Sequence, residues 1–113
     1  MIHNQITALI RKYHPSVLAL ERLFFNRNAK TATEVGRSAG AIMIAAAKAK
    51  IPVFEYMPLQ IKSLIDGYGR AKKKNIQKRV VEILKLKETP KPDDAADALA
   101  VAICHFKKNY GKL

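Results

Sequence analysis

The order of patterns along the chain predicts an α/β fold. Apolar residues recur at helical spacing near the start, and two short apolar runs then alternate with longer helical segments. These runs, residues 17–20 and 53–56, have the composition of strands that are covered on both faces. Because an isolated pair of short strands is only marginally stable, the sheet is expected to need further strands, from a second copy or from outside this sequence.

The first helix and the first strand are separated by a proline. The helix is predicted from apolar residues three and four positions apart, namely Ile2, Ile6, Leu9, Ile10 and Tyr13. It is expected to end at His14, because a residue before a proline disfavours helical backbone angles. The strand that follows places Glu21 at its carboxyl end, where open α/β sheets bind ligands. Residues 22–28 are predicted to form a loop.

Small residues dominate the second helix, which is predicted over residues 31–50. Alanine, glycine and serine permit close helix approach, so this helix is a candidate for subunit packing as well as for the core. After the second strand, a short helix is predicted over residues 59–64, and a turn with two glycines over residues 66–69.

The last third of the chain predicts two more helices. One begins within a basic run, and the other extends from Asp93 to His105 or Phe106. Residues 107–113 are then expected to be a frayed basic tail. The sequence thus predicts about two strands and four to five helices in one domain, residues 1–113.

Charge is the unusual feature of the composition. The 113 residues include 21 Lys and Arg against 9 Asp and Glu, a formal charge of +12. Such an excess points first to nucleic acid, and then to an acidic membrane surface or an acidic protein. The single cysteine excludes an internal disulfide framework and favours a reducing compartment. Neither a leader nor an apolar run of about 20 residues is visible, so a cytoplasmic protein is expected.

Three carboxylates are candidates for a metal site. Asp94 and Asp97 are three residues apart at the start of the last helix, on one face and roughly 5–6 Å apart at Cβ. With Glu21 they could share a divalent cation that acts on a phosphate backbone. Alternatively, acids in a first helical turn only complement the helix dipole, Asp93 is an N-cap, and Glu21 is a solvated strand end.

Basic and aromatic residues are candidates for contact with nucleic acid. Four lysines could bind phosphates or form a solvated helix face: Lys62, Lys72, Lys73 and Lys74. Phe24 and Phe25 could pack in the core or stack on bases. Cys104 is expected in the core, and the three histidines are scattered, so no metal role is assigned to them.

Four segments taken together carry a family resemblance: Ala-Leu-Glu-Arg-Leu-Phe at 19–24, Asn28 with Thr-Ala-Thr-Glu-Val-Gly-Arg at 31–37, Pro-Val-Phe-Glu-Tyr at 52–56, and Asp-Ala-Ala-Asp-Ala-Leu-Ala at 94–100. In this order they resemble the RuvC family of Holliday-junction resolvases. The resemblance implies a ribonuclease H-like mixed sheet flanked by helices. It also implies a homodimer that nicks four-way junctions in recombination and repair, with branch-migration helicases as partners.

The resemblance also assigns roles to residues. Glu21, Asp94 and Asp97 look like three of the family's four catalytic carboxylates, which bind two Mg²⁺, or Mn²⁺, in the complete enzyme. Lys62 and Lys73 look like the lysines near the cleaved phosphate. Phe24 looks like the aromatic residue that probes the junction, and residues 31–50 look like the dimer helix.

The chain departs from the family pattern at its start. The family begins with a strand that bears a catalytic aspartate in an Asp-Pro-Gly type of motif, whereas the first aspartate here is Asp66, in an unrelated turn. The chain is therefore expected to lack the family's first third and to bind DNA with little or no cleavage. Two other functions stay open: a non-catalytic basic nucleic-acid-binding module, or another ribonuclease H-like nuclease.

Overall fold

The computed structural model describes residues 2–22, 29–67 and 72–111. In chain order the elements are α1 (Ile2–Tyr13), β1 (Leu18–Glu21), α2 (Ala29–Lys48), β2 (Val53–Tyr56), α3 (Pro58–Asp66), α4 (Lys73–Leu84) and α5 (Asp93–Tyr110). The predicted α/β class is confirmed, with five helices and two paired strands among the described residues. None of the described helices is long and apolar enough to cross a membrane.

The chain divides into two compact units, Met1–Phe54 and Glu55–Leu113. In the first unit α1 packs against α2. Ala45 and Ala46 are buried on α2, and their small side chains leave room for the neighbouring helix. The amide of Leu18 donates to the carbonyl of Pro52 (3.0 Å), which sets β1 beside β2. The strands are less covered than their sequence predicts, because β1 is only half-buried and Phe54 is exposed.

Residues with positive φ end three helices. His14, Lys50 and Lys85 have φ values of 49°, 60° and 54°, in the left-handed region. After α2, the amides of Lys50 and Ile51 donate to the carbonyls of Ala47 and Ala46, which satisfies carbonyls that the helix leaves unpaired. α1 ends at Tyr13, directly before the His14-Pro15 pair, as the sequence predicts.

In the second unit α3, α4 and α5 pack against one another. Buried apolar side chains from all three helices form its core: Ile61, Ile65, Ile76, Val80, Ala96, Ala100, Val101, Ile103 and Cys104. Burial raises the pKa of the Cys104 thiol above its ordinary value of 9.0, so the thiol stays protonated in the core. Cys104 thus lies where the sequence predicts it.

Two residue types at its ends make α3 longer than predicted. Pro58 occupies the first turn, where its missing N–H costs nothing. The Gln60 side chain accepts a hydrogen bond from the amide of Met57 (3.1 Å) and supports that start. Gly67 has a φ of 73° and donates to the carbonyl of Ser63 (2.8 Å), which ends the helix.

The predicted end of the last helix is wrong. α5 continues to Tyr110, so residues 107–110 are helical rather than frayed. The ammonium of Lys107 donates to the carbonyl of Leu64 (3.1 Å), and the Asn109 amide donates to the carbonyl of His105 (2.8 Å). Lysines in a last turn also interact favourably with the helix dipole. Residues 112–113 lie outside the described residues.

The core of the second unit predicts a contrast between two positions on α3. Ile65 is 1% exposed and Leu59 is 60% exposed. We expect Ile65→Ala to lower the free energy of unfolding by about 2–5 kcal/mol, because it removes buried methyl groups and leaves a cavity. We expect Leu59→Ala to change it by less than about 0.5 kcal/mol. Urea unfolding followed by circular dichroism measures both, and equal effects would contradict the described burial.

Candidate active site

The acidic face of the second unit lies at the start of α5. Pro92 is the N-cap, and its carbonyl accepts a hydrogen bond from the amide of Ala95 (2.9 Å). Asp93 is therefore the first helical residue, and the prediction that it is an N-cap is wrong. Its carboxylate instead faces α4, where it contacts Lys73 and Gln77 at 3.3 Å and 3.4 Å.

Asp94 and Asp97 are both exposed. Ala96 and Ala100 are buried on α5, which packs against α3 and α4, whereas the two carboxylates stay accessible. Residues three positions apart share a helix face. That one cation reaches both carboxylates stays a prediction from this spacing.

Lys73 forms ion pairs with two of the acids at the start of α5. Its ammonium lies 3.3 Å from the Asp93 carboxylate and 3.9 Å from the Asp97 carboxylate. The hydrogen bond that Lys73 donates to Asp93 is the main cause that raises the pKa of Lys73, and the charges of Asp97 and Asp94 act in the same direction. One predicted DNA-binding lysine therefore lies beside one predicted metal ligand.

The start of α4 is strongly positive. Lys72 is the N-cap, and Lys73 and Lys74 occupy the first turn, which contains no acidic residue. All three are exposed. A helix N-terminus carries partial positive charge and unpaired amides, so these lysines add to a field that attracts phosphate. Lys62 lies on α3 and is half-buried.

Two other basic residues serve the fold. The Arg79 guanidinium donates to the carbonyl of Ile65 (3.4 Å) and pairs with Glu82 (2.7 Å) and Asp66 (4.0 Å). Lys107 donates to the carbonyl of Leu64, one residue earlier in α3. Both cations therefore hold carbonyls at the end of α3, which complements the negative end of its dipole. Sequence reasoning did not separate these structural cations from the others.

A polar cluster on β2 and α5 was also missed. Tyr56 is buried, and its hydroxyl shares a hydrogen bond with Nδ1 of His105. Asn109 lies within 3.5 Å of the Tyr56 hydroxyl, and the Lys108 ammonium is 5.5 Å from the centre of the Tyr56 ring. Burial is the main cause that raises the pKa of Tyr56. The sequence signal that could have indicated this cluster is the tyrosine at the end of β2. A buried tyrosine hydroxyl usually needs a hydrogen-bond partner.

The remaining predicted site residues lie outside the second unit or outside the described residues. Glu21 is the last residue of β1, is half-buried and belongs to the first unit. That Glu21 lies close to the two aspartates stays a prediction. Phe24 and Phe25 lie outside the described residues.

The donor chemistry of this face fits magnesium. Mg²⁺ prefers carboxylate oxygens, keeps several waters, and is often bound through one or two carboxylates together with substrate phosphate. Asp94 and Asp97 offer two such ligands. Within residues 2–22, 29–67 and 72–111, no group of three or more His, Cys, Asp or Glu side chains is arranged to hold a metal ion. A metal ion bound by Asp94 and Asp97 would therefore need ligands beyond these two side chains.

Comparison with known proteins gives one family. Residues 1–105 match the family model described as crossover junction endodeoxyribonuclease RuvC. The protein of that name from Halothermothrix orenii is 50% identical over 105 residues, which are 93% of this chain and 64% of that relative. The one from Syntrophomonas wolfei is 53% identical over 105 residues, 93% of this chain and 61% of that relative.

Solved structures give the same family. The structure of Thermus thermophilus RuvC matches with a TM-score of 0.88 and 38% identity, over 98% of this chain and 68% of that one. The T. thermophilus RuvC complex with a Holliday junction substrate matches with a TM-score of 0.88 and 39% identity, over 92% of this chain and 63% of that one. The fold is therefore ribonuclease H-like, and the chain belongs to the RuvC family of crossover junction endodeoxyribonucleases.

Proposed function

We propose that this protein is a structure-specific endonuclease of recombination and repair, which resolves four-way DNA junctions by metal-dependent phosphodiester hydrolysis. The observation that carries the proposal is the exposed Asp94 and Asp97 pair beside Lys73, in a chain of the RuvC family. The chain covers 64% of the Halothermothrix orenii relative, so the activity of the whole protein is part of the proposal.

Each residue has a role in this proposal. Asp94, Asp97 and Glu21 hold Mg²⁺, or Mn²⁺, with two ions in the complete site. A metal held there would supply activation of a water and stabilisation of the charge on the leaving 3′ oxygen. Lys73 and Lys62 contact phosphates near the cleaved bond, and the formal charge of +12 strengthens binding to the whole junction.

Further basic and aromatic contacts complete the proposed DNA surface. Lys72 and Lys74 flank Lys73 at the start of α4 and extend the positive field toward the DNA backbone. Phe24 and Phe25 follow Glu21 closely in the sequence, so we assign them contacts with bases near the junction centre.

The 113-residue chain alone is proposed to bind junctions with little or no cleavage. Its first aspartate in the sequence is Asp66, and the family resemblance predicts a fourth carboxylate on an upstream strand. A site with three of these four carboxylates would hold a metal ion less tightly and position it less well. A version extended upstream by the strand that the resemblance predicts is therefore the proper test of cleavage.

The aspartate pair gives the central test of activity. We expect Asp94→Asn in the extended version to lower the rate of junction cleavage in Mg²⁺ by more than about 100-fold, because it removes a charged ligand from a metal site. Glu88→Gln, which changes an exposed acid before α5, is the matched control and should cut at the original rate.

Three results would oppose the proposal in different ways. If Asp94→Asn cuts junctions as fast as the control, the aspartates are not metal ligands. If neither protein cuts but both bind junctions, the non-catalytic basic module is favoured. If linear duplex or RNA–DNA hybrid is cut faster than the junction, another ribonuclease H-like nuclease is favoured.

We also propose that the protein is a cytoplasmic homodimer that works with branch-migration helicases. Two identical sites related by a two-fold axis match the symmetry of a four-way junction. The open face of α2 supports this assignment, because Ile44 is 54% exposed and a Cβ added at Gly36 or Gly40 would meet no atom within 4 Å.

Charge on that face should separate the subunits. We expect Ile44→Glu to convert a dimer into a monomer at micromolar concentration, because an unpaired carboxylate would be buried in the interface. Leu59→Glu, on an exposed position of α3, is the control and should stay dimeric. Sedimentation velocity measures both. A wild-type chain that sediments as a monomer would contradict the assignment of this helix.

A further inference from the structure

Asp93 is an acid to which the proposed function gives no role. It is the first residue of α5, and both of its carboxylate oxygens face α4. One oxygen lies 3.3 Å from the ammonium of Lys73, and the other accepts a hydrogen bond from Gln77 at 3.4 Å. Lys73 and Gln77 are four residues apart and therefore share one face of α4. Asp93 thus links the first turn of α4 to the start of α5.

This contact opposes the local preference of Lys73. A cation in the first turn of a helix is repelled by the positive end of the dipole. Lys72 and Lys74 add like charge beside it. The repulsion favours conformers of the Lys73 side chain that point away from the start of α4. The carboxylate of Asp93 instead attracts the ammonium toward α5. The ammonium consequently lies 3.9 Å from Asp97, beside the proposed metal ligand.

Lys73 keeps the capacity to bind phosphate while Asp93 holds it. An ammonium has three donors, and one contact with Asp93 leaves the others available. The Lys73 side chain is 56% exposed, so a phosphate can approach without displacing Asp93. Gln77 holds the second oxygen of Asp93, which limits rotation of the carboxylate.

We propose that Asp93 is a positioning residue that holds the Lys73 ammonium beside Asp97 and keeps that contact when Lys73 binds a DNA phosphate. The inference rests on the proposed function, because it takes the phosphate contact of Lys73 from it. The opposite role is that of a competitor, in which Asp93 neutralises Lys73 and must release it before DNA binds.

A double-mutant cycle distinguishes these roles. We expect Lys73→Ala to weaken binding of the 113-residue chain to a fluorescent four-way junction by about three- to tenfold in metal-free buffer. It should also reduce the slope of log affinity against log salt by about 0.9. In the Asp93→Asn background, Lys73→Ala should weaken junction binding by at most about twofold, because Asp93 no longer holds the lysine in position. Asp93→Glu should restore most of the original cost.

Lys62→Ala is the internal reference, since Lys62 lies on α3, and Lys87→Ala is the control for a charge outside the site. Lys62→Ala should weaken junction binding by the same factor in the original chain and in the Asp93→Asn background. If Asp93→Asn changes the cost of Lys62→Ala as well, Asp93 only stabilises the fold, and the inference is overturned.

Two other results also overturn the inference. A cost of Lys73→Ala that is equal or larger in the Asp93→Asn background shows that the contact is irrelevant or is broken on binding. A cost of zero in both backgrounds shows that Lys73 does not contact DNA. In both cases the proposed function is still judged separately, by cleavage with Asp94→Asn.

Discussion

The close packing of α5 against α3 and α4 is the constraint on which the candidate site depends. Ala96 and Ala100 are buried on α5, and larger side chains there would push the helices apart. With these residues turned inward, the helical repeat leaves Asp94 and Asp97 exposed. The same packing brings the start of α4 beside the start of α5, so that Lys73 reaches the acids. A hydrophobic contact thus determines where the charges meet.

Cations of the second unit differ in what their charge does. Arg79 and Lys107 bind carbonyls at the end of α3 and stabilise the fold. Lys72, Lys73 and Lys74 surround the start of α4, where helix dipole and side-chain charges have the same sign. The like charges of these three lysines repel one another, an effect that Asp93 and Asp97 offset for Lys73 and that a bound polyanion would offset for all three. This arrangement is expected of a surface that binds a phosphate backbone.

The sequence predicted the elements well wherever a local signal was present. β2 has the predicted bounds, and His14-Pro15 marks the end of α1, because these depend on residues adjacent in the chain. The end of α5 was not predictable from its own residues, since Lys107 is held by a carbonyl of α3.

The candidate site shows the same limit of sequence reasoning. Helical spacing alone places Asp94 and Asp97 on one face, so that part followed from the sequence. Asp93 was assigned to capping on local grounds, whereas its partners lie on α4, 16 and 20 residues earlier in the sequence. Tyr56 and His105 are 49 residues apart, and no periodic pattern connects them. Contacts between residues far apart in the sequence can be identified only from the packed structure.

The proposed metal site requires that Glu21 binds the same metal as Asp94 and Asp97. Titration of the 113-residue chain with Mn²⁺, followed by electron paramagnetic resonance of the free ion, tests it without requiring cleavage. We expect Glu21→Gln and Asp94→Asn each to weaken Mn²⁺ binding by at least about tenfold, and Glu88→Gln to leave it unchanged. Mn²⁺ affinity that falls with Asp94→Asn but is unchanged by Glu21→Gln would contradict a shared site.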